Sequence, residues 1–155
     1  MVLGSLFRSK SQEAGARGLY QRIVAQARRA EFYTACGVPD TLDGRFDLVA
    51  LHTFLVLRRL KQDHPDAAAL GQALFDTMFL DMDQSLRELG AGDLGVGRRI
   101  KLMAQGFYGR IAAYEAGLSG AEADLEAALK RNLYGTVEAA PESISALAGY
   151  MRRET

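Results

Sequence analysis

Cysteine and histidine are nearly absent: Cys36 stands alone, and His52 and His64 are the only imidazoles in 155 residues. A single cysteine cannot form an intramolecular disulfide, so a reducing compartment is the default, and no thiol cluster exists for zinc or iron–sulfur binding. Neither histidine follows a glutamate by three residues, so the Glu-x-x-His pair of a di-iron helical bundle is missing. Cys36 has no histidine signature beside it and Gly-x-Ser-x-Gly does not occur, so no nucleophilic triad is legible and the chain does not read as an enzyme. Long apolar runs are also lacking. The longest, Phe46 to Leu57, is broken by Asp47 and His52 and falls short of the ~20 residues that span a bilayer. Met1 to Arg8 has no basic n-region and too short an apolar run for a signal peptide. No segment alternates with period two, which excludes a sheet as the organising element. Net charge is zero, with nineteen bases against nineteen acids, which argues against a dedicated nucleic-acid binder.

What remains is a helical chain. Hydrophobic residues make up 48% and charged ones 25%, the balance of a globular protein, and the length suits one domain with its own core. Residues 1–18 are rich in Ser, Gly and bases and read as a mobile N-terminal arm, with a weak lipid anchor at Leu3, Leu6 and Phe7 beside Arg8 and Lys10 as the sharper alternative. The all-helical domain then occupies 19–155. A helix is expected from about Leu19 to Phe32, with Tyr20, Ile23, Val24 and Ala27 inward and Arg22, Arg28 and Arg29 outward. The segment Cys36 to Phe46 reads as a packed loop in which Gly37 and Gly44 allow positive φ. From about Phe46 to Lys61 the pattern is apolar nearly all round, so this helix is expected at the centre, capped by Asp43 or Gly44, with His52 as a hydrogen-bonded core histidine.

The clearest feature runs from Pro65 to Ala116. Phe75, Met78, Phe79, Met82, Leu86 and Leu89 share one helical face; Ile100, Met103, Ala104, Phe107, Ile111 and Tyr114 share another. The glycine-rich turn from Gly90 to Gly97 joins them into an αα-hairpin. Arg87 is placed to pair with Asp83 at i,i+4. Further on, Ser119 to Glu122 reads as a capping box for a helix ending at Gly135, and Pro141 opens a last helix that docks through Ile144, Leu147 and Met151. The expectation is an all-α, single-domain bundle of about six helices with a central αα-hairpin.

Gly90-Ala91-Gly92-Asp93-Leu94-Gly95 matches GxGxxG, but that pattern cradles a dinucleotide only after a β-strand, and here a helix precedes it. The hairpin's charges are more informative. Residues 63–93 carry seven acids against one base, and 97–111 carry four bases and no acid. Arg98, Arg99 and Lys101 fall in the expected first turn of the second helix, where the macrodipole disfavours cations by a few tenths to ~1 kcal/mol each. They either pair with the acidic neighbour or face a partner: RNA, lipid headgroups or an acidic protein.

Several idiosyncratic strings carry a resemblance. Ile23-Val24-Ala25-Gln26-Ala27-Arg28, Gly37 to Asp47, Leu55-Val56-Leu57-Arg58-Arg59-Leu60, Asp81 to Glu88, Gly92 to Gly97 and Phe107-Tyr108-Gly109-Arg110 resemble the ubiquinol–cytochrome c chaperone family over about residues 20–118. The resemblance implies an assembly factor for the cytochrome bc1 complex that receives newly made cytochrome b; mitochondrial members act with a second, smaller assembly protein near the ribosomal exit. This chain resembles the short bacterial form, with no transit segment, and the expectation is a cytoplasmic protein, peripheral at the inner membrane. Expected partners are cytochrome b or another bc1 assembly protein, with ribosome or membrane-surface contact as a further option and no DNA. No cofactor or metal is expected. Such a holdase needs an apolar groove with adaptable Met and aromatic residues, and Met78, Met82, Met103, Phe79 and Phe107 are of that type, though a core stripe would look the same. The expected partner-binding residues are Asp40, Arg45, Asp81, Asp83, Asp93, Arg98, Arg99, Lys101 and Arg110. The rival reading is an RNA- or ribosome-docking protein acting through its basic faces.

Overall fold

The structure, a computed structural model, describes residues 2–90 and 92–155, with side chains for 10–90 and 92–155. The described residues form seven α-helices and one 3-10 turn, with no strand, so the fold is all-α. In chain order these are α1 (Val2–Ala27), α2 (Ala30–Thr34), α3 (Leu42–Asp63), the 3-10 turn Pro65–Ala67, α4 (Ala68–Glu88), α5 (Asp93–Ser119), α6 (Glu122–Asn132) and α7 (Pro141–Glu154).

From Val2 onward the backbone of the expected N-terminal arm belongs to α1. Ala16, Tyr20, Ile23 and Ala27 recur at helical spacing and are buried, so the inward stripe begins earlier than Leu19. The side chains of Leu3, Leu6, Phe7 and Arg8, and with them the lipid-anchor reading, lie outside the described residues. The helix expected over Leu19–Phe32 is two helices, because Arg29 takes an extended conformation at φ −63°, ψ 135°. That break turns Phe32 inward, where its ring lies 5.0 Å from both His52 and Tyr150.

The following loop is packed. Val38 is buried, its N–H donates to the Phe32 carbonyl at 3.0 Å, and the Tyr134 hydroxyl donates to the Cys36 carbonyl at 2.6 Å. Gly37 takes the left-handed conformation, φ 63°, that the turn requires. The cap of α3 is Thr41, not Asp43 or Gly44: its Oγ1 accepts from the Gly44 N–H at 3.1 Å. Gly44 is needed for space rather than for positive φ, since a Cβ there would lie 1.9 Å from the Pro39 carbonyl oxygen. Every residue from Phe46 to Leu55 is buried, which makes α3 the central helix. Each fully buried leucine among them, Leu48 and Leu51, contributes about 1.5–3 kcal/mol by leaving water.

The αα-hairpin is present as α4 and α5, but the turn is short, because α5 begins at Asp93 rather than near Arg98. Gly90 makes the reversal at φ 88° and Asp93 supplies an acid to the first turn of α5. On the facing stripes Met78, Leu86, Phe107 and Tyr114 are buried, with Phe75 5.5 Å from Phe107, whereas Leu89 is 66% exposed. Each hairpin helix packs more extensively on another partner, α4 on α1 and α5 on α6. The capping box expected at Ser119–Glu122 is replaced by a different arrangement: Ser119 ends α5, and Asp124 accepts from the Ala121 N–H at 3.0 Å. α6 stops at Asn132, before Gly135, and α7 starts at Pro141 with Ile144, Leu147 and Met151 buried as expected. Among the described residues no helix is long and apolar enough to cross a membrane.

Candidate functional site

A groove of about 480 Å³ opens on one side of the hairpin near its tip. Helical spacing builds its walls. α4 contributes Met82, Ser85, Leu86 and Leu89, and α5 contributes Arg99, Leu102, Met103, Gly106 and Arg110. The start of α3 supplies Leu42, Asp43, Phe46 and Asp47, and the end of α6 and the residue after it close the far side with Arg131 and Leu133. Three leucines on this lining face solvent: Leu42 at 54%, Leu89 at 66% and Leu102 at 61%. Exposed leucines from two helices and the hairpin turn converging on one hollow are the unusual observation here, because scattered single ones would need no explanation.

At the α3–α5 junction Asp47 and Arg110 form an ion pair, Oδ1 to Nη2, at 2.7 Å. The guanidinium carbon also lies 5.7 Å from the centroid of the Phe46 ring, a cation–π contact. The pair is held by charge rather than by an aligned hydrogen bond, as Asp47 Oδ1 and Arg110 Nε have no hydrogen-bond partner. Burial pushes the Asp47 carboxyl up to about 6, against the opposing pull of Arg110 and with a further push from Asp43.

The expected partner-binding residues fall into separate groups. Arg99 and Arg110 line the groove. Asp40 and Arg45 pair with each other at 2.8 Å, beside the lining residues Pro39 and Gly44 in the chain but not on the lining itself. Asp81 accepts from the Tyr20 hydroxyl at 2.7 Å and so ties α4 to α1; burial and that carboxylate push the Tyr20 hydroxyl up. Asp83 pairs with Arg87 at 2.9 Å, and Arg87 also holds Asp93, a clasp across the hairpin tip. Arg98 and Lys101 are exposed on α5. Among the described residues Arg98, Arg99 and Lys101 have no ion pair, so they do not neutralise the acidic helix beside them. Nor do they occupy the first turn of α5, so the dipole penalty expected there does not apply.

Sequence reasoning missed Leu42, Asp47, Leu102 and Arg131. Asp47 carried a signal, as the one acid inside the longest apolar stretch, but its partner Arg110 is on a distant helix. His52 is a core histidine. Its Nδ1–H donates to the Leu48 carbonyl at 2.7 Å, so Nε2 accepts from the Tyr150 hydroxyl at 2.9 Å, and Gln26 donates to that same oxygen at 3.2 Å. Burial pushes the imidazole down, which keeps it neutral. Among the described residues no group of three or more His, Cys, Asp or Glu is placed to hold a metal ion.

A family model described as ubiquinol-cytochrome C chaperone matches residues 34–155. The chain belongs to that family. Ubiquinol-cytochrome c reductase complex assembly factor 1 of Mus musculus is 26% identical over 136 residues, covering 88% of this chain and 46% of the mouse protein. The Xenopus laevis protein of the same name is 27% identical over 136 residues, 88% of this chain and 68% of its own. The chain therefore spans about half the length of the mouse relative. The crystal structure of the Cbp3 homolog from Brucella abortus shares 44% identity and a TM-score of 0.80, covering 98% of this chain and 84% of that one. The family match runs through α6 and α7, beyond the segment up to Leu118 that carries the resemblance in sequence, and so takes in the Arg131–Leu133 side of the groove.

Proposed function

We propose that this chaperone-family chain is a non-enzymatic assembly factor for ubiquinol–cytochrome c reductase, the cytochrome bc1 complex, and that the groove beside the hairpin tip is where it holds a client. The client is newly made cytochrome b or a partner assembly protein, met at or near the cytoplasmic face of the membrane. The observation that carries this reading is the convergence of Leu42, Leu89 and Leu102 on one hollow beside unpaired cations. An apolar groove with flexible methionines, Met82 and Met103, suits helical segments that expose apolar surface until their own partners arrive. Asp40, Arg45, Arg98 and Lys101 complete the docking surface as exposed charges close in sequence to the lining residues.

The test is replacement of Arg98, Arg99 and Lys101 together by alanine. All three are exposed and unpaired, so helical circular dichroism is expected to be unchanged while assembled bc1 complex fails to accumulate. Normal accumulation in that variant would sink the reading. The alternative, RNA or ribosome docking through the basic N-terminal segment, has less in its favour: Arg29, in the link between α1 and α2, is engaged by Glu31 at 3.1 Å. Steeply salt-dependent RNA binding would reinstate it.

A further inference from the structure

We infer that the occupant of the groove is an amphipathic helix of a protein partner, apolar on the face that enters and acidic on a flank, rather than a helix apolar all round. This rests on the proposal that the groove is a docking site, and names the chemistry of what docks. The walls carry five charged side chains. Asp47 and Arg110 are paired in charge at 2.7 Å, which leaves Arg99 and Arg131 against Asp43. Arg99 and Arg131 are exposed and have no ion pair among the described residues, and Arg98 and Lys101 add further positive charge on the same helix as Arg99. From Leu94 to Tyr114 α5 carries four bases and no acid. Asp83 and Asp93 share Arg87 at the hairpin tip, which leaves one of their two negative charges uncompensated, and neither acid lines the groove.

A uniformly apolar helix would fill the leucine-lined hollow but would strip water from Arg99 and Arg131 without replacing it. Carboxylates spaced along one flank would meet both guanidiniums, which bind carboxylates through a planar fork. Asp43 sets the polarity of the arrangement, since it disfavours acids on the side where α3 begins. Apolar anchors at i, i+3, i+4 and i+7 would then lie against Leu42, Leu89 and Leu102.

The test uses the whole chain and three designed helical peptides that share one leucine stripe and carry glutamate, glutamine or lysine on the flanks, with binding followed by fluorescence anisotropy. The glutamate peptide is expected to bind about tenfold more tightly than the glutamine one, the worth of two partly solvated ion pairs. The double variant Arg99→Ala/Arg131→Ala is expected to bring the ratio of glutamate-peptide to glutamine-peptide affinity from about ten to about one, with helical circular dichroism unchanged. Equal affinity for the glutamate and glutamine peptides, or a preference for lysine, overturns the acidic-partner assignment and leaves the groove reading standing. A failure of all three peptides to bind the folded chain overturns both.

Discussion

Replacing Asp47 by asparagine should stabilise this protein at neutral pH and flatten its pH dependence. The Asp47 side chain is 13% exposed, and its ion-pair partner among the described residues, Arg110, does not meet it with an aligned hydrogen bond. Burial therefore outweighs the attraction and lifts the group from 3.8 to about 6. A displacement of that size corresponds to roughly 3 kcal/mol. The folded state holds the Asp47 proton more tightly than the unfolded state does. The stability this group contributes is thus present in full below pH ~4 and is lost as pH rises through about 6. Asparagine keeps the shape and has no charge to desolvate, so Asp47→Asn is expected to gain about 1–3 kcal/mol at pH 8 and little at pH 4. His52 works in the opposite direction, its imidazole pushed down by burial, and is common to both proteins, so the difference between variant and parent isolates Asp47. Urea denaturation followed by circular dichroism at a series of pH values reads it directly. A variant less stable than the parent at pH 8, or a difference that does not change with pH, would refute the reasoning and make the Asp47–Arg110 pair a net source of stability. Arg110→Ala is the companion: it strands the carboxylate and should cost about 2–4 kcal/mol at pH 8, less at pH 5.

Gly44→Ala should destabilise by about 2–4 kcal/mol, seen as a lower midpoint in urea, because the added methyl would meet the Pro39 carbonyl at 1.9 Å and push the start of α3 away from its cap. Tyr150→Phe leaves His52 Nε2 and Gln26 without their shared partner and should cost about 1–3 kcal/mol by the same measurement. Leu42→Glu/Leu102→Glu changes two side chains that are 54% and 61% exposed, so thermal stability should move by less than about 1 kcal/mol while accumulation of the bc1 complex falls.

Much of the fold was legible because period and punctuation agreed. The all-round apolar pattern from Phe46 to Leu57 placed α3 at the centre, and Pro141 marked the first turn of α7. What was not legible depended on partners distant in the chain. Nothing local to Arg28-Arg29 announces a break; it is favoured by what Phe32 then meets, His52 and Tyr150 from α3 and α7. The same holds at the groove. Leu42 reads as a packed loop residue until the start of α3 turns it outward, and Leu89 reads as the last residue of a buried stripe until the short turn leaves it beyond the α4–α5 contact. The start of α5 was misplaced by the glycines at 95 and 97, which look like turn residues but sit in the first helical turns after Asp93.

The charge contrast across the hairpin also changes meaning once contacts are known. The acids of α4 are engaged within the fold: Asp81 receives the Tyr20 hydroxyl, Asp83 joins Asp93 on Arg87, and Asp76 accepts from Gln72 at 2.9 Å. At the far end of α5 the Glu115 carboxylate holds Arg58 of α3 at 2.8 Å. Of the four bases between Leu94 and Tyr114 of α5, only Arg110 has an ion pair among the described residues. An acidic helix whose charges have partners inside the fold therefore stands beside a helix whose bases at the tip, Arg98, Arg99 and Lys101, are left to solvent, and the apolar hollow opens beside them. Charges without internal partners, bordering exposed leucines, are what a docking surface requires and what the stability of this fold does not.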